Sequence, residues 1–97
     1  MVSLHSYPAR SDDLVWRMVD GEVVILTTDG NEVHTLNRVG SEIWDLSDGT
    51  KNLEEIASLI CERFEVSSEE SYADALEFAE ELSLKNILQV TKGSSDD

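Results

Sequence analysis

Short apolar runs alternate with turn-forming pairs over the first third of the chain. The pairs Asp20-Gly21 and Asp29-Gly30 separate the runs, and both residue types tolerate the positive φ angles that tight hairpin turns require. The runs are rich in β-branched residues and occupy residues 14–18, 23–27 and 33–36. We therefore expect a three-stranded antiparallel meander.

From Asn37 onward the apolar positions repeat at helical spacing. A first short helix carries Val39, Ile43, Trp44 and Leu46, and it ends at the turn Asp48-Gly49. Asn52, followed by Glu55 three residues later, has the spacing of a capping box and predicts the start of a second helix. Its apolar stripe consists of Leu53, Ile56, Ala57, Leu59, Ile60 and Phe64.

A third helix is predicted between Ser67, with Glu70 at capping-box spacing, and about Lys85. Asn86 suits the left-handed residue that often follows a helix. Beyond it, Ile87, Leu88 and Val90 are expected to return to the core. A sheet followed by three helices is a small α+β domain of winged-helix-like kind, which also contains a helix-turn-helix element.

The ends of the chain lack such periodicity. Residues 1–12 are polar and contain the sole proline, Pro8, so we expect a flexible N-terminal arm. The domain itself is expected to span residues 13–90, and residues 91–97 are expected to form a disordered tail. A chain of 97 residues, of which 40% are hydrophobic, suits one domain with one core.

The acidic balance of the chain changes which partners are plausible. There are 21 acidic and 7 basic residues, which gives a net charge of −14, and most of the excess falls on the predicted helices. Such a field repels nucleic acid and anionic membranes. The third predicted helix, residues 68–84, contains no Lys or Arg, so it lacks the contacts of a DNA-reading helix. We expect no nucleic-acid and no membrane partner.

Few residues suit catalysis or metal binding. Cys61 has no cationic neighbour at helical spacing, and a lowered thiol pKa needs one. The histidines, His5 and His34, are far apart in sequence, and neither metal-ligand spacings nor glycine-rich nucleotide motifs occur. We expect a protein that is not an enzyme and has no cofactor. The single cysteine and the lack of a signal peptide or membrane span indicate a cytoplasmic location.

The third strand offers a different kind of site. The outer strand of a three-stranded sheet has unpaired N–H and C=O groups, to which an extended peptide can add as a further strand. The third helix can pack beside this strand and contribute side-chain contacts. The residues 32–36 are polar enough, however, that the edge can equally be a short solvated one. Residue chemistry alone leaves both alternatives open.

Several short motifs occur together along the chain. They are Leu36-Asn37, Ile43-Trp44, the turn Asp48-Gly49-Thr50, Glu55-Ile56, and Phe78 with Leu82. With these motifs the chain resembles the PqqD-like family, also described as RiPP precursor peptide recognition elements. The resemblance covers roughly residues 14–90, and the motifs above are its most specific parts. Asn86 departs from the glycine that the family often has there, and residues 27–37 lack the proline- and glycine-containing segment of members dedicated to coenzyme PQQ biosynthesis. The broad family therefore fits better than that pathway.

The resemblance implies a peptide chaperone that binds the leader of a ribosomal precursor and presents it to a modifying enzyme, often a radical SAM protein. It implies that the leader pairs with the third strand and lies beside the third helix. Carried onto this chain, the peptide-binding residues are Glu32, Val33, His34, Thr35, Leu36, Tyr72, Ala75, Leu76 and Ala79. Leu36, Ile43, Trp44, Ile56, Phe78 and Leu82 match framework positions and are expected to be core.

Two further expectations concern partners. Acidic residues of the third helix, such as Asp74, Glu77 and Glu80, can attract basic residues of a bound peptide. The alternative function is a protein–protein adaptor, or a homodimerising assembly module, that uses the same sheet edge without binding a leader peptide.

Overall fold

A computed structural model describes residues 2–12, 14–27 and 32–91. Its elements in chain order are β1 (Tyr7–Arg10), β2 (Val15–Val19), β3 (Glu22–Leu26), β4 (Val33–Thr35), α1 (Arg38–Leu46), α2 (Leu53–Phe64), α3 (Ser68–Leu84) and β5 (Leu88–Thr91). Strands β2, β3 and β4 form an antiparallel sheet in that order, and β1 pairs with β5 in a second, two-stranded sheet. The predicted α+β class, with a three-stranded antiparallel sheet followed by three helices, is confirmed.

The β2–β3 hairpin turns where its sequence predicts. Asp20 and Gly21 have φ angles of 53° and 83°, the pair of positive values that a two-residue hairpin of matching twist requires. The second predicted turn, Asp29-Gly30, lies outside the described residues. In β3, Val23 and Ile25 are fully buried while the alternate residues face outward, so one face of the sheet covers the core.

Side-chain caps begin each helix. Asn37 accepts a hydrogen bond from the Gly40 amide at the start of α1, and the Ser67 hydroxyl accepts one from the Glu70 amide at the start of α3. At α2, Asn52 and Glu55 each accept from the other's backbone N–H, at 2.9 and 3.0 Å. The capping box predicted at Asn52 is confirmed.

The helices and the inner face of the sheet enclose one hydrophobic core. Trp44 of α1 is fully buried, and its ring meets that of Trp16 edge-on with centroids 5.7 Å apart. The buried apolar residues are Val23, Ile25, Ile43, Trp44, Leu46, Leu53, Ile56, Ala57, Ile60, Ala75, Ala79, Leu82, Ile87 and Leu88. Of the expected framework residues, Leu36 and Phe78 are only partly buried, because both border an open groove.

The end of α3 follows its sequence pattern. Asn86 has a φ of 60°, and the Ile87 amide donates to the Leu82 carbonyl at 2.9 Å. Ile87 and Leu88 are buried and Val90 is partly buried. The left-handed residue therefore turns the chain back towards the core as expected.

The N-terminal segment differs from the flexible arm expected over residues 1–12. Residues 7–10 form β1, which pairs with β5 from Tyr7↔Thr91 to Arg10↔Leu88. The Leu4 and Ser6 carbonyls accept hydrogen bonds from the first amides of α2, Glu54 and Leu53, at 3.0 Å each. These contacts join main-chain atoms, so the hydropathy pattern of the side chains does not predict them. Thr91, expected in the tail, ends β5, and residues 92–97 lie outside the described part.

Among the described residues, no helix is long and apolar enough to span a membrane.

Candidate functional site

Strand β4 is an edge of the three-stranded sheet, and its hydrogen bonds divide its residues into two sets. The Leu36 amide donates to the Val23 carbonyl at 2.9 Å, and the Glu32 carbonyl accepts from the Thr27 amide at 3.1 Å. Because an antiparallel ladder alternates, the main-chain groups of Val33 and Thr35 point away from β3. Within the described residues no strand pairs with this side of β4. These groups are therefore open to an added strand.

A buried hydroxyl holds the end of β4 in place. Ser41 Oγ accepts from the Val23 amide at 2.7 Å and donates to the Leu36 carbonyl at 3.2 Å. Ser41 lies in α1 and is 2% exposed. The hydroxyl thus ties the strand end to the helix that follows it and fixes where the open edge lies.

An open groove of about 380 Å³ runs between β4 and α3. The large apolar residues of its lining are Val33, Leu36, Phe78 and Leu82. The full lining is Val33, His34, Thr35, Leu36, Asn37, Gly40, Phe78, Glu81, Leu82 and Lys85. An extended segment paired with β4 would direct every second side chain towards α3 across this groove.

A second section of about 260 Å³ continues the groove past the end of β4, between α1 and α3. It is lined by Asn37, Val39, Gly40, Ile43, Asp74, Glu77, Phe78 and Glu81. Asn37, Gly40, Phe78 and Glu81 border both sections. We call the first part the strand section and the second part the acidic section.

The charges along the groove are unevenly distributed. In the strand section, Lys85 Nζ lies 3.5 Å from Glu81 Oε2, and His34 Nε2 lies 3.0 Å from Glu32 Oε1. In the acidic section, Asp74 and Glu77 form no ion pair within the described residues, and its lining contains no Lys or Arg. The groove therefore changes from mixed charge at one end to negative charge at the other.

The structure brings together the strand residues predicted for the site. Val33, His34, Thr35 and Leu36 line the strand section, and Glu32 contacts it through His34. The predicted residues of α3 do not join them. Ala75 and Ala79 are fully buried in the core, and Tyr72 and Leu76 pack partly buried against it. None of these four lines either section.

The groove-facing residues of α3 lie on a neighbouring face of the helix: Asp74 and Phe78 stand one position before Ala75 and Ala79, and Glu77 stands one position after Leu76. They are Asp74, Glu77, Phe78, Glu81 and the buried Leu82, and Lys85 at the C-cap follows them. Of the acidic residues expected to attract basic side chains, Asp74 and Glu77 line the groove, whereas Glu80 does not. The recurrence of Asp74, Phe78, Glu81 and Lys85 at spacings of three and four is the sequence signal that would have indicated this face.

Other chemically interesting residues lie elsewhere. Cys61 is half-buried, and its thiol donates to the Val66 carbonyl at 3.0 Å. Asp48 accepts hydrogen bonds from Thr50 Oγ1 at 2.6 Å and from the Thr50 amide at 3.0 Å, which hold the pKa of its carboxyl below the ordinary value. Neither residue lines the groove. Among the described residues, no cluster of three or more His, Cys, Asp or Glu side chains is arranged to hold a metal ion.

Fold and site define a class: a small α+β domain with an unpaired sheet edge beside an open, partly apolar groove. The chain belongs to the PqqD family, because the family model described as "Coenzyme PQQ synthesis protein D (PqqD)" matches residues 22–88. The resemblance drawn from the sequence is thereby confirmed. No curated protein matches the chain significantly.

Two solved structures are similar to this chain. TbiB1, in a complex with the TbiA(beta) leader peptide, is 33% identical, with a TM-score of 0.74 over 84% of this chain and 94% of that one. The PqqD truncation of Methylobacterium extorquens PqqCD, described as a stand-alone RiPP recognition element, has a TM-score of 0.76 at 19% identity. It covers 92% of this chain and 95% of its own length, and at that identity it supports the fold alone.

Proposed function

We propose that this protein binds the leader peptide of a ribosomally made precursor by strand addition to β4 and presents it to a modifying enzyme. The observation that carries the proposal is the unpaired edge of β4 beside an open groove. It is supported by the similarity to TbiB1, whose structure contains a leader peptide. In this role the protein itself performs no chemistry.

The leader would contact the outward main-chain groups of Val33 and Thr35, which fix its register. Side chains on one face of the added strand would then lie against Phe78, Leu36 and the exposed part of α3. Main-chain hydrogen bonds give such a site an affinity that depends little on the sequence of the peptide, and the pockets for alternate side chains give it selectivity.

The enzyme partner would modify a core peptide attached to the bound leader. A radical SAM protein is one class that fits, and any enzyme that acts on a leader-bearing precursor fits the same geometry. The neighbouring genes identify the candidate peptide and the candidate enzyme. A short precursor gene beside the gene for such an enzyme supplies both for the tests below.

Proline substitutions test which sheet edge the leader uses. Val33→Pro and Thr35→Pro each remove one outward amide of β4, and proline is tolerated where an edge amide faces solvent. Losing one main-chain hydrogen bond costs about 1 kcal/mol, so we expect the Kd to rise by roughly fivefold per substitution. Fluorescence anisotropy with the labelled leader encoded beside the gene measures this.

Met18→Pro is the matched control, because the same alternation directs the Met18 amide outward at the opposite edge, on β2. It should leave the Kd unchanged. If Met18→Pro weakens binding and the β4 variants do not, the leader binds at the β2 edge and the proposal is wrong. Amide chemical shifts of the unaltered protein give an independent check, since Val33 and Thr35 should shift on titration. No binding below millimolar concentration would end the proposal.

A second candidate function is protein docking without a leader, as an adaptor or a homodimer. It is favoured by an apolar row on the outer face of the sheet, where Val15, Leu26 and Val33 stand in register across three strands and are 66, 40 and 62% exposed. Sedimentation over a range of protein concentrations distinguishes this candidate from leader binding. It is favoured if the protein binds no leader, forms a dimer, and becomes a monomer when Val15 is replaced by Lys.

A further inference from the structure

The acidic section extends the groove beyond the part that strand addition uses. A three-residue strand such as β4 ends at Thr35, yet the groove continues past Asn37 along α1. A peptide paired with β4 would therefore lead directly into this section, and its flanking residues would occupy it.

Gly40 lies where the two sections meet. It lies in the first turn of α1, and a Cβ there would stand 3.3 Å from Phe78 Cε2, 3.3 Å from Asn37 Oδ1 and 3.5 Å from Leu36 Cβ. Glycine is the poorest helix former after proline, so local helix preference does not account for it. What the missing side chain provides is clearance between α1 and Phe78, where the strand section meets the acidic section.

The lining of the acidic section selects one kind of side chain. Val39, Ile43 and Phe78 give it an apolar wall, and the carboxylates of Asp74, Glu77 and Glu81 border it. Lysine and arginine combine an apolar stem with a cationic head, and they lay the stem along apolar surface while the head stays near water. A neutral apolar side chain would form no ion pair with the carboxylates, and an acidic side chain would be repelled by them.

We propose that the acidic section binds a lysine or arginine of the peptide, next to the stretch that pairs with β4. This inference rests on the proposed leader binding and specifies the chemistry of the leader: an extended apolar stretch flanked by a basic residue. The overall charge of −14 acts in the same direction, because it favours the approach of a cationic peptide over an anionic one.

The test is a double-mutant cycle between the groove and the leader encoded beside the gene. Asp74→Asn with Glu77→Gln removes the two carboxylates of the acidic section that form no ion pair within the described residues. In the peptide, each Lys or Arg is replaced in turn by Gln. Exposed charge pairs contribute little individually, so we expect the doubly neutralised protein to bind about three- to tenfold more weakly. One peptide replacement should cause the same loss, and combining the two should add almost nothing.

The control variant is Glu69→Gln with Glu80→Gln, which changes the net charge equally on exposed positions of α3 that do not line the groove. If it weakens binding as much as the groove variant, the effect is the general field and the proposed subsite is wrong. A leader that binds and shifts the Val33 and Thr35 amides, yet loses nothing in the groove variant or has no basic residue, overturns the subsite alone. A leader that does not bind overturns both proposals.

Discussion

At the scale of single residues, the buried hydroxyl of Ser41 connects the strand that borders the groove to the helix behind it. It satisfies one donor on β3 and one acceptor at the end of β4 at the same time. The Val23 amide lies where water has little access, since Val23 is fully buried and Ser41 nearly so, whereas the Leu36 carbonyl belongs to a partly buried residue. Unpaired polar groups in such a place are costly.

Ser41→Ala should therefore destabilise the protein by about 1–3 kcal/mol, the usual penalty for buried polar groups that lose their partner. Urea denaturation followed by circular dichroism measures the change, and the Val23 amide should also exchange faster with deuterium. Ser58→Ala makes the same replacement on an exposed position of α2 and should be close to neutral. Equal stability of the two variants would contradict the role given to Ser41.

Residue chemistry also explains which residues of the groove lining the sequence predicts. The strand half, Val33 to Leu36, follows from topology, because the last strand of a meander is an edge. The α3 half was placed on the apolar face with Ala75 and Ala79, but that face is already used by the core. The residues that line the groove lie beside the buried stripe, such as Asp74 and Phe78, and their mixed polarity gives no hydrophobic signal.

At the scale of secondary-structure elements, β1 and the residues before it connect β5 to the start of α2 through main-chain hydrogen bonds. Arg10 is its clearest side-chain contribution: Nη1 donates to the Trp44 carbonyl at 2.7 Å and to the Asp45 carbonyl at 2.9 Å. These carbonyls lie at the C-terminal end of α1, where a positive charge is favourable. The guanidinium also lies 5.7 Å from the Trp16 ring centroid.

Replacing Arg10 with Met keeps an unbranched stem and removes the charge and the donors. We expect a loss of about 1 kcal/mol, which lowers the Tm by roughly 4–8 °C for a domain of this size. Arg17→Met on the exposed strand β2 is the control, because it changes the net charge equally. If both variants melt at the same temperature, Arg10 acts only through the overall charge.

The elements that the sequence predicts are those with a side-chain pattern or a turn signal. The three helices repeat apolar positions at helical spacing, the meander strands are β-branched runs separated by turn pairs, and Asn52, Glu55 and Asn86 mark helix ends. Strand β1 has no such pattern. It is held by main-chain hydrogen bonds such as Gly49 N to Pro8 O at 2.9 Å, and any sequence can supply those groups. Pro8 itself argued for a loop, although an edge strand accepts it.

At the scale of the whole molecule, the excess of carboxylates opposes folding. The chain carries a net charge of −14, and the part that the structure describes measures 34 × 34 × 18 Å. At about 0.01 M salt the Debye length is roughly 30 Å, close to the longest dimension, so nearly every charge acts on every other. Exposed ion pairs such as Lys85 with Glu81 contribute about 0–1 kcal/mol each, too little to offset a repulsion that involves the entire surface.

Raising the salt concentration should therefore stabilise this protein. At about 0.1 M the Debye length falls to roughly 10 Å, which screens distant carboxylates while leaving close ion pairs largely intact. The compact state gains more than the expanded unfolded chain, so we expect the Tm to rise by several degrees between 0.01 and 0.1 M sodium chloride. Differential scanning calorimetry measures this over a series of sodium chloride concentrations in a dilute buffer. Glu80→Gln, at an exposed mid-helix position of α3, should raise the Tm at low salt and flatten its salt dependence. A Tm that is constant or falls with added salt would show that local ion pairs, rather than the net charge, dominate the electrostatic free energy of folding.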